Sequence, residues 1–343
     1  MAGLAHSAGQ VWPAFALVTG LVLVGVVAEG EGLFAGAGAL LGRFPLGAAG
    51  TYVLALGLVA VVTAVLNLDT SVVFLTPVLL HLARVRGLDE APFLYGAVAM
   101  SNAASLYLPG SNLTNLIVLH GEHVSGARFL SHMWTAALAS TLASAAVLLV
   151  VFRRELRGAT PPEAERAEVR PRIGAAAIAV ATVLVLATSS PALPVLAVGI
   201  LAVLAARVSR ARIAAVVDVR VIVGLFALAV LLGGAGRWWN GPASLVDSVG
   251  KWPTAVIGAV ASVLVNNLPA AVLLTPHPPA HARALLLGLN LGPNLAVSGS
   301  LSAFLWLRIA WSLDAKPSVA RYSRIGVVLV PVSLCVSLLV LRG

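Results

Sequence analysis

Apolar residues run through the chain in stretches of about 20, the length an α-helix needs to cross a hydrocarbon layer about 30 Å thick, and polar residues gather between them. The pattern predicts uninterrupted spans over 11–29, 132–152, 173–189, 193–207, 213–232 and 323–341. Four other apolar segments do not read as simple crossings. Residues 46–83 are too long for one and carry Asn67, Asp69, Thr70 and Ser71 halfway, as if the chain entered, turned and came back. Residues 253–281 repeat this around Asn266, Asn267 and Pro269. Residues 91–121 are interrupted from Asn102 to Asn115, through Pro109, Gly110, Ser111, Asn112 and Thr114. Residues 284–312 are interrupted from Asn290 to Ser300, through Gly292, Pro293, Asn294 and Ser298. Non-helical backbone at membrane depth survives only where protein buries it or where it lines a cavity, so the four interruptions belong together.

The halves match in order. NLDTSVVFLTP from Asn67 lies over NNLPAAVLLTP from Asn266, pairing the asparagines and the terminal Thr76-Pro77 with Thr275-Pro276. Each hairpin segment is followed by a broken one, in which Asn102 and Ser111-Asn112-Leu113 correspond to Asn290 and Gly299-Ser300-Leu301. The fold class is therefore an all-α polytopic membrane protein with two inverted-topology repeats, each holding a re-entrant hairpin and a broken transmembrane helix. The first repeat is expected over 1–152, a linker over 153–172 and the second repeat over 173–343.

Composition agrees. With 59% hydrophobic and 10% charged residues and a mean hydropathy of +0.99, the chain falls far below the roughly 25% charge of soluble domains. The net charge of +9 does not point to nucleic acid, because the basic residues sit in short clusters between apolar segments. They report topology instead. With 46–83 and 253–281 as hairpins, all of the 22 Lys and Arg except Arg128, Arg237, Lys251, Arg283 and Arg342 fall on one face, which the positive-inside rule makes cytoplasmic. The linker is then cytoplasmic, the protein a multi-pass protein of the cell membrane, and the first stretch a permanent span rather than a signal peptide. The single cysteine, Cys335, excludes an intrachain disulfide or a thiolate metal cage.

The chemistry lies at the breaks. A helix that starts in mid-membrane exposes unpaired N–H groups and a partial positive charge. Thr70 and Ser71 are expected to cap the first return arm, Asn267 the second, Ser111 and Asn112 one half-helix, and Ser298 and Ser300 the other. The expected substrate-binding set is Asn67, Thr70, Ser71, Asn102, Ser111, Asn112, Thr114, Asn115, Asn266, Asn267, Asn290, Asn294, Ser298 and Ser300. Asp69 is the one acidic residue within the breaks and is assigned a proton- or cation-coupling role. His120, His123, His132, His277 and His281 sit at segment ends without a ligand set around them, so no metal site and no cofactor are expected. No phosphate-binding loop, paired carboxylates or catalytic triad occurs, which argues against an enzyme. Glu29 and Glu31 read as interfacial.

At these residues the sequence resembles the ion transporter superfamily, which includes arsenite efflux permeases and citrate and dicarboxylate carriers. NLDTSVVFLTP looks like its first hairpin tip, SNLTNLI like its first broken helix, and VNNLPAAVLL with GLNLGPNLAVSGSLSAFLWLRI like the second pair. The stretch from Asn290 to Trp306 is similar to the arsenite permease form of the motif. Relatives usually have two further spans ahead of the one starting at Val11, so the first repeat looks shortened. The resemblance implies a substrate site built from both tips and both broken helices, and often a homodimer; a peripheral ATPase partner stays open. No Lys or Arg lies within the four breaks, while Asp69 would repel an anion. That tilts the expected substrate toward a neutral metalloid hydroxide such as arsenite or antimonite. Organic anion transport, cation-proton exchange and a non-transporting membrane role remain as alternatives.

Overall fold

The computed structural model describes residues 2–120, 125–157, 173–216 and 219–342. Most of the expected linker, and His123, lie outside them. Among the described residues the chain is helical throughout and has no strand. Apolar side chains such as Val61, Val183, Leu201, Leu264 and Leu339 are more than half exposed. So large an apolar surface requires lipid around it. Of the seven tryptophans, Trp12, Trp134, Trp238, Trp239, Trp252 and Trp311 are exposed, while Trp306 is fully buried.

The first helix, α1 (Ala2–Gly30), is the long axis of the fold. It begins nine residues before the expected span because the stretch from Ala2 to Gln10 holds no proline and continues the helix without a break. Against it pack α8 (Ile173–Ala187), α9 (Ala192–Ala205) and α11 (Val219–Trp238). The crossing with α9 is made by Gly20 and Gly199: a side chain on Gly20 would strike the backbone of Val195 and Leu196. The span expected over 213–232 is displaced, with a short α10 (Arg210–Val216) ahead of α11. Two short helices, α2 (Leu33–Gly42) and α12 (Gly241–Asp247), were not expected; α12 turns away from α11 by 74°. Glu31 is more than interfacial, because its carboxylate accepts hydrogen bonds from the Ile173 and Gly174 amides at the start of α8, both at 2.9 Å.

The first hairpin is α3 (Ala48–Val65) and α4 (Leu68–Val85), turning at Leu66 and Asn67. Its base is closed by Arg86, whose guanidinium donates to the carbonyls of Phe44 at 3.3 Å and Leu46 at 2.9 Å. The start of α3 and the end of α4 therefore share one side, as the charge pattern requires. Each arm has 18 residues, about 27 Å at 1.5 Å per residue. The second hairpin is shorter. Its arms are α13 (Lys251–Val265) and α14 (Asn267–Leu274), and residues Thr275 to His281 are non-helical because Pro276, Pro278 and Pro279 remove donors and fix the backbone. The first broken helix is α5 (Glu90–Ala104) and α6 (Leu113–Val118); the second is α15 (Ala282–Leu291) and α16 (Leu301–Ser312), joined by two short 3₁₀ turns. Two long helices, α7 (Gly126–Val151) and α17 (Val319–Val340), pack together beside them.

The half-helices pair crosswise: α4 packs on α16 and α14 on α6. Arg84, near the end of α4, donates to the Leu313 carbonyl just past α16 at 2.8 Å. Gln10 on α1 donates to the Thr275 carbonyl just past α14 at 3.1 Å and lies 3.0 Å from His120 just past α6. Since α2 follows α1 directly and packs on α4, one pair leaves the breaks toward the end of α1 and the other toward its start. From Gln10 to Gly30 is about 30 Å at 1.5 Å per residue, the thickness of a hydrocarbon layer. The two halves are thus inverted.

Candidate functional site

All four half-helices begin with a side-chain cap. Asn67 accepts from the Thr70 amide at 2.7 Å, Asn112 from Thr114 at 3.1 Å, Asn266 from Leu268 at 3.3 Å and Ser300 from Ala303 at 3.2 Å. The expected caps Asn112 and Ser300 hold this position; Thr70, Ser71, Asn267, Ser111 and Ser298 do not. A cap must sit in extended or otherwise non-helical backbone just before the first helical residue. Thr70 and Ser71 are already inside α4, and Asn267 is the first residue of α14. Ser111 instead ties the first break to the first hairpin, donating to the Ala64 carbonyl at 2.9 Å, and Ser298 ties the second break to the second hairpin, donating to Val263 at 3.3 Å. Asn266, at φ 77°, adds a bond to the Ser298 carbonyl at 3.1 Å.

Between the two broken helices runs a buried amide network. Asn290 on α15 accepts from Ser105 at 2.5 Å and Asn112 at 2.6 Å, and donates to Asn115 at 2.9 Å and to the Leu286 carbonyl at 2.8 Å. Asn102 on α5 donates to Asn294 at 2.8 Å. Asn115 in turn donates to the carbonyls of Ser105 at 2.7 Å and Leu108 at 3.2 Å, two acceptors freed by the break. The asparagines that disrupt the apolar pattern are therefore what holds the two disrupted helices together. Ser105 was missed by sequence reasoning. A serine beside Asn102 in a small-residue run carries no signal of its own.

Hairpin tips and breaks form a chain of contacts: first tip to first break through Ser111, first break to second break through the amides, second break to second tip through Ser298 and Asn266. Asn67 and Asn266 make no bond to each other. Most of the expected site residues are buried, whereas Asn266 is half-buried and Ser298 exposed. Four of them present buried polar atoms with no hydrogen-bond partner among the described residues: Asn67 Nδ2, Thr70 Oγ1, Asn102 Oδ1 and Thr114 Oγ1. Left so, each costs about 1–3 kcal/mol. Ser71 reaches Val59 at 3.4 Å.

Asp69 lies beside the tip of the first hairpin, in the first turn of α4, where the helix dipole favours a carboxylate, and its side chain keeps partial exposure. It faces the Ser302 hydroxyl on α16, which also lies 3.2 Å from Ser300, the cap of that half-helix. Among the described residues no cluster of metal-ligating side chains occurs, and His277 pairs with Asp247 at 3.5 Å. A cavity of about 510 Å³ reaches from Gln10, His120 and the α8–α9 turn inward to Pro109 in the first break.

A helical membrane protein with inverted halves, each a hairpin and a broken helix meeting at polar interruptions, has the architecture of a secondary transporter. The chain belongs to the CitMHS family, described as citrate transporter, which matches residues 3–298. It is 23% identical to the arsenical pump membrane protein of Escherichia coli K12, over 93% of this chain and 83% of that protein. It is 29% identical to the silicon efflux transporter LSI3 of Oryza sativa subsp. japonica, over 43% of this chain and 30% of that one. Among solved structures it resembles the Alcanivorax borkumensis YdaH transporter, with a TM-score of 0.59, 15% identity, and 98% and 86% of the two chains covered. The fold is shared with that transporter.

Proposed function

We propose that the protein is a secondary active transporter that moves a small uncharged metalloid hydroxide, of the arsenite or antimonite type, out of the cell across the plasma membrane, with Asp69 coupling the movement to protons. The observation that carries the reading is the character of the breaks. They offer amides and hydroxyls of both polarities, Asn67 Nδ2 as a donor, Asn102 Oδ1 as an acceptor, Thr70 and Thr114 as either, and no Lys or Arg. A trihydroxy solute is matched by such groups, whereas a dicarboxylate needs donors and preferably a cation, and would meet the charge of Asp69. Two relatives are named for arsenical pumping and for silicon efflux, and arsenic(III) and silicon both form uncharged hydroxides in neutral water. The family's description as citrate transporters favours a second reading, an organic anion carrier.

The test is growth and uptake with and without the protein, across arsenite, antimonite, citrate and succinate at two external pH values. Protection from arsenite is the expected result; citrate-dependent growth without it promotes the second reading. Asp69→Asn is expected to leave a folded protein whose transport no longer responds to the pH gradient, measured in everted vesicles. Full gradient-dependent activity in that variant removes Asp69 from the mechanism.

A further inference from the structure

Gln10 is a polar side chain near one end of α1, 8% exposed, and both ends of its amide are engaged. Its oxygen accepts from Arg237 Nη2 on α11 at 2.5 Å. Its nitrogen donates to the Thr275 carbonyl at 3.1 Å and lies 3.0 Å from His120 Nδ1. Arg237 also donates to Ser7 at 3.3 Å, one turn earlier on α1. A single amide therefore joins four elements: α1, α11, and the points where α14 and α6 end. Those last two are the return arm of the second hairpin and the outer half of the first broken helix, the pair that leaves the breaks toward this end. Gln10 and His120 also line the cavity of about 510 Å³ that reaches Pro109 in the first break.

We propose that Gln10 is the latch of a gate at this end: its amide nitrogen holds the second hairpin arm and the first broken helix against α1, and transport requires that hold to be released. The proposal rests on the reading of the protein as a transporter whose hairpins and broken helices move against the rest. The contacts suit a latch rather than a permanent joint. The polar ones lie at the ends of elements and hang on one side chain, beside apolar packing of α14 on α11 and of α6 on α1 that can slide. His120 supplies an alternative state, since its Nδ1 is also 2.9 Å from the Ile117 carbonyl. One ring nitrogen accepts from Gln10 or donates to Ile117, not both, so its tautomer selects whether Gln10 keeps that partner. Behind the latch lies Val272 on α14, fully buried and beside Gly233 of α11.

The experiment reads opening directly and does not depend on which solute is carried. With Cys335 replaced by serine, Val272→Cys is introduced and its reaction with a water-soluble maleimide is timed in detergent-solubilised full-length protein. Gln10→Ala is expected to raise the labelling rate about tenfold or more, because loss of buried hydrogen bonds shifts a closed-to-open equilibrium by at least that factor. Gln10→Glu keeps an oxygen for Arg237 and removes the donor to Thr275 and His120, so it is expected to raise the rate as well. A control cysteine at Leu80, 1% exposed on α4, is expected to stay unreactive in both variants. An unchanged rate at Val272→Cys in either variant overturns the latch, as does a parallel rise at Leu80→Cys, which would mean general loosening. The transport reading fails separately, if none of the four solutes is moved by the unmodified protein.

Discussion

Asn290→Leu is expected to lower the stability of the purified protein by about 4 kcal/mol and to abolish transport. The leucine has the asparagine's branching and heavy-atom count but more bulky methyl groups, so no cavity forms and the loss comes from hydrogen bonding, with some crowding added. Four bonds of 2.5 to 2.9 Å end on this one amide. Ser105 keeps its bond to the Asn102 carbonyl at 2.8 Å. Asn112 Nδ2 and Asn115 Oδ1 have no second partner and are left buried and unpaired, at about 2 kcal/mol each. Asn290→Asp separates the two halves of the effect. It retains acceptors for Ser105 and Asn112 but cannot, when ionised, donate to Asn115 or Leu286, so an intermediate loss is expected. Chemical denaturation in detergent measures both. A change below about 1 kcal/mol for the leucine variant would show that the amide network does not hold the broken helices together.

Gly326→Val is expected to prevent the second break from forming at all. Gly326 lies in the middle of α17, where even a Cβ atom would overlap the carbonyl oxygen of Asn294 and crowd Leu295. Backbone cannot rotate away as a side chain does. The helix would have to retreat, breaking the bond from Tyr322 to the Pro293 carbonyl at 2.9 Å and pulling Asn294 from Asn102. Overpacking of a well-filled site costs about 1–3 kcal/mol when side chains can adjust, and here they cannot. The variant is expected to be recovered in low yield and to aggregate on size-exclusion chromatography. Gly3→Val, at a glycine with open space around it, is the matched control and is expected to behave as the unmodified protein. Normal yield and elution of Gly326→Val would refute the close contact between α17 and the break.

These two residues also mark what the sequence could and could not reveal. Asn290 stood out because an amide in an apolar run demands an explanation, and each of the four interruptions was found that way. What Asn290 touches was not readable. Its partners lie 175 to 185 residues away in the chain, and only the folded geometry brings them together. The caps were located to within a few residues and then assigned partly to the wrong side chains, because capping depends on which residue adopts non-helical backbone. Asp69 stands out in the sequence as the acidic residue within a break, but its neighbour Ser302, from the other half of the chain, is supplied only by the packing of α4 on α16. Gly326 gave no signal in a chain with 32 glycines. Gln10 was passed over because it lies ahead of the first apolar run, where a polar residue is unremarkable.

In this mechanism the solute is held among the breaks. The most direct measurement is an anomalous difference map from crystals of the Cys335→Ser protein soaked in antimonite; the substitution removes an exposed thiol that would attract a soft metalloid on its own. An antimony peak is expected whose hydroxyls lie within hydrogen-bonding reach, about 3.5 Å or less, of at least two among Asn67, Thr70, Asn102 and Thr114. A peak confined to the cavity at Gln10 and His120, or no peak in a protein shown to move antimonite, would contradict it.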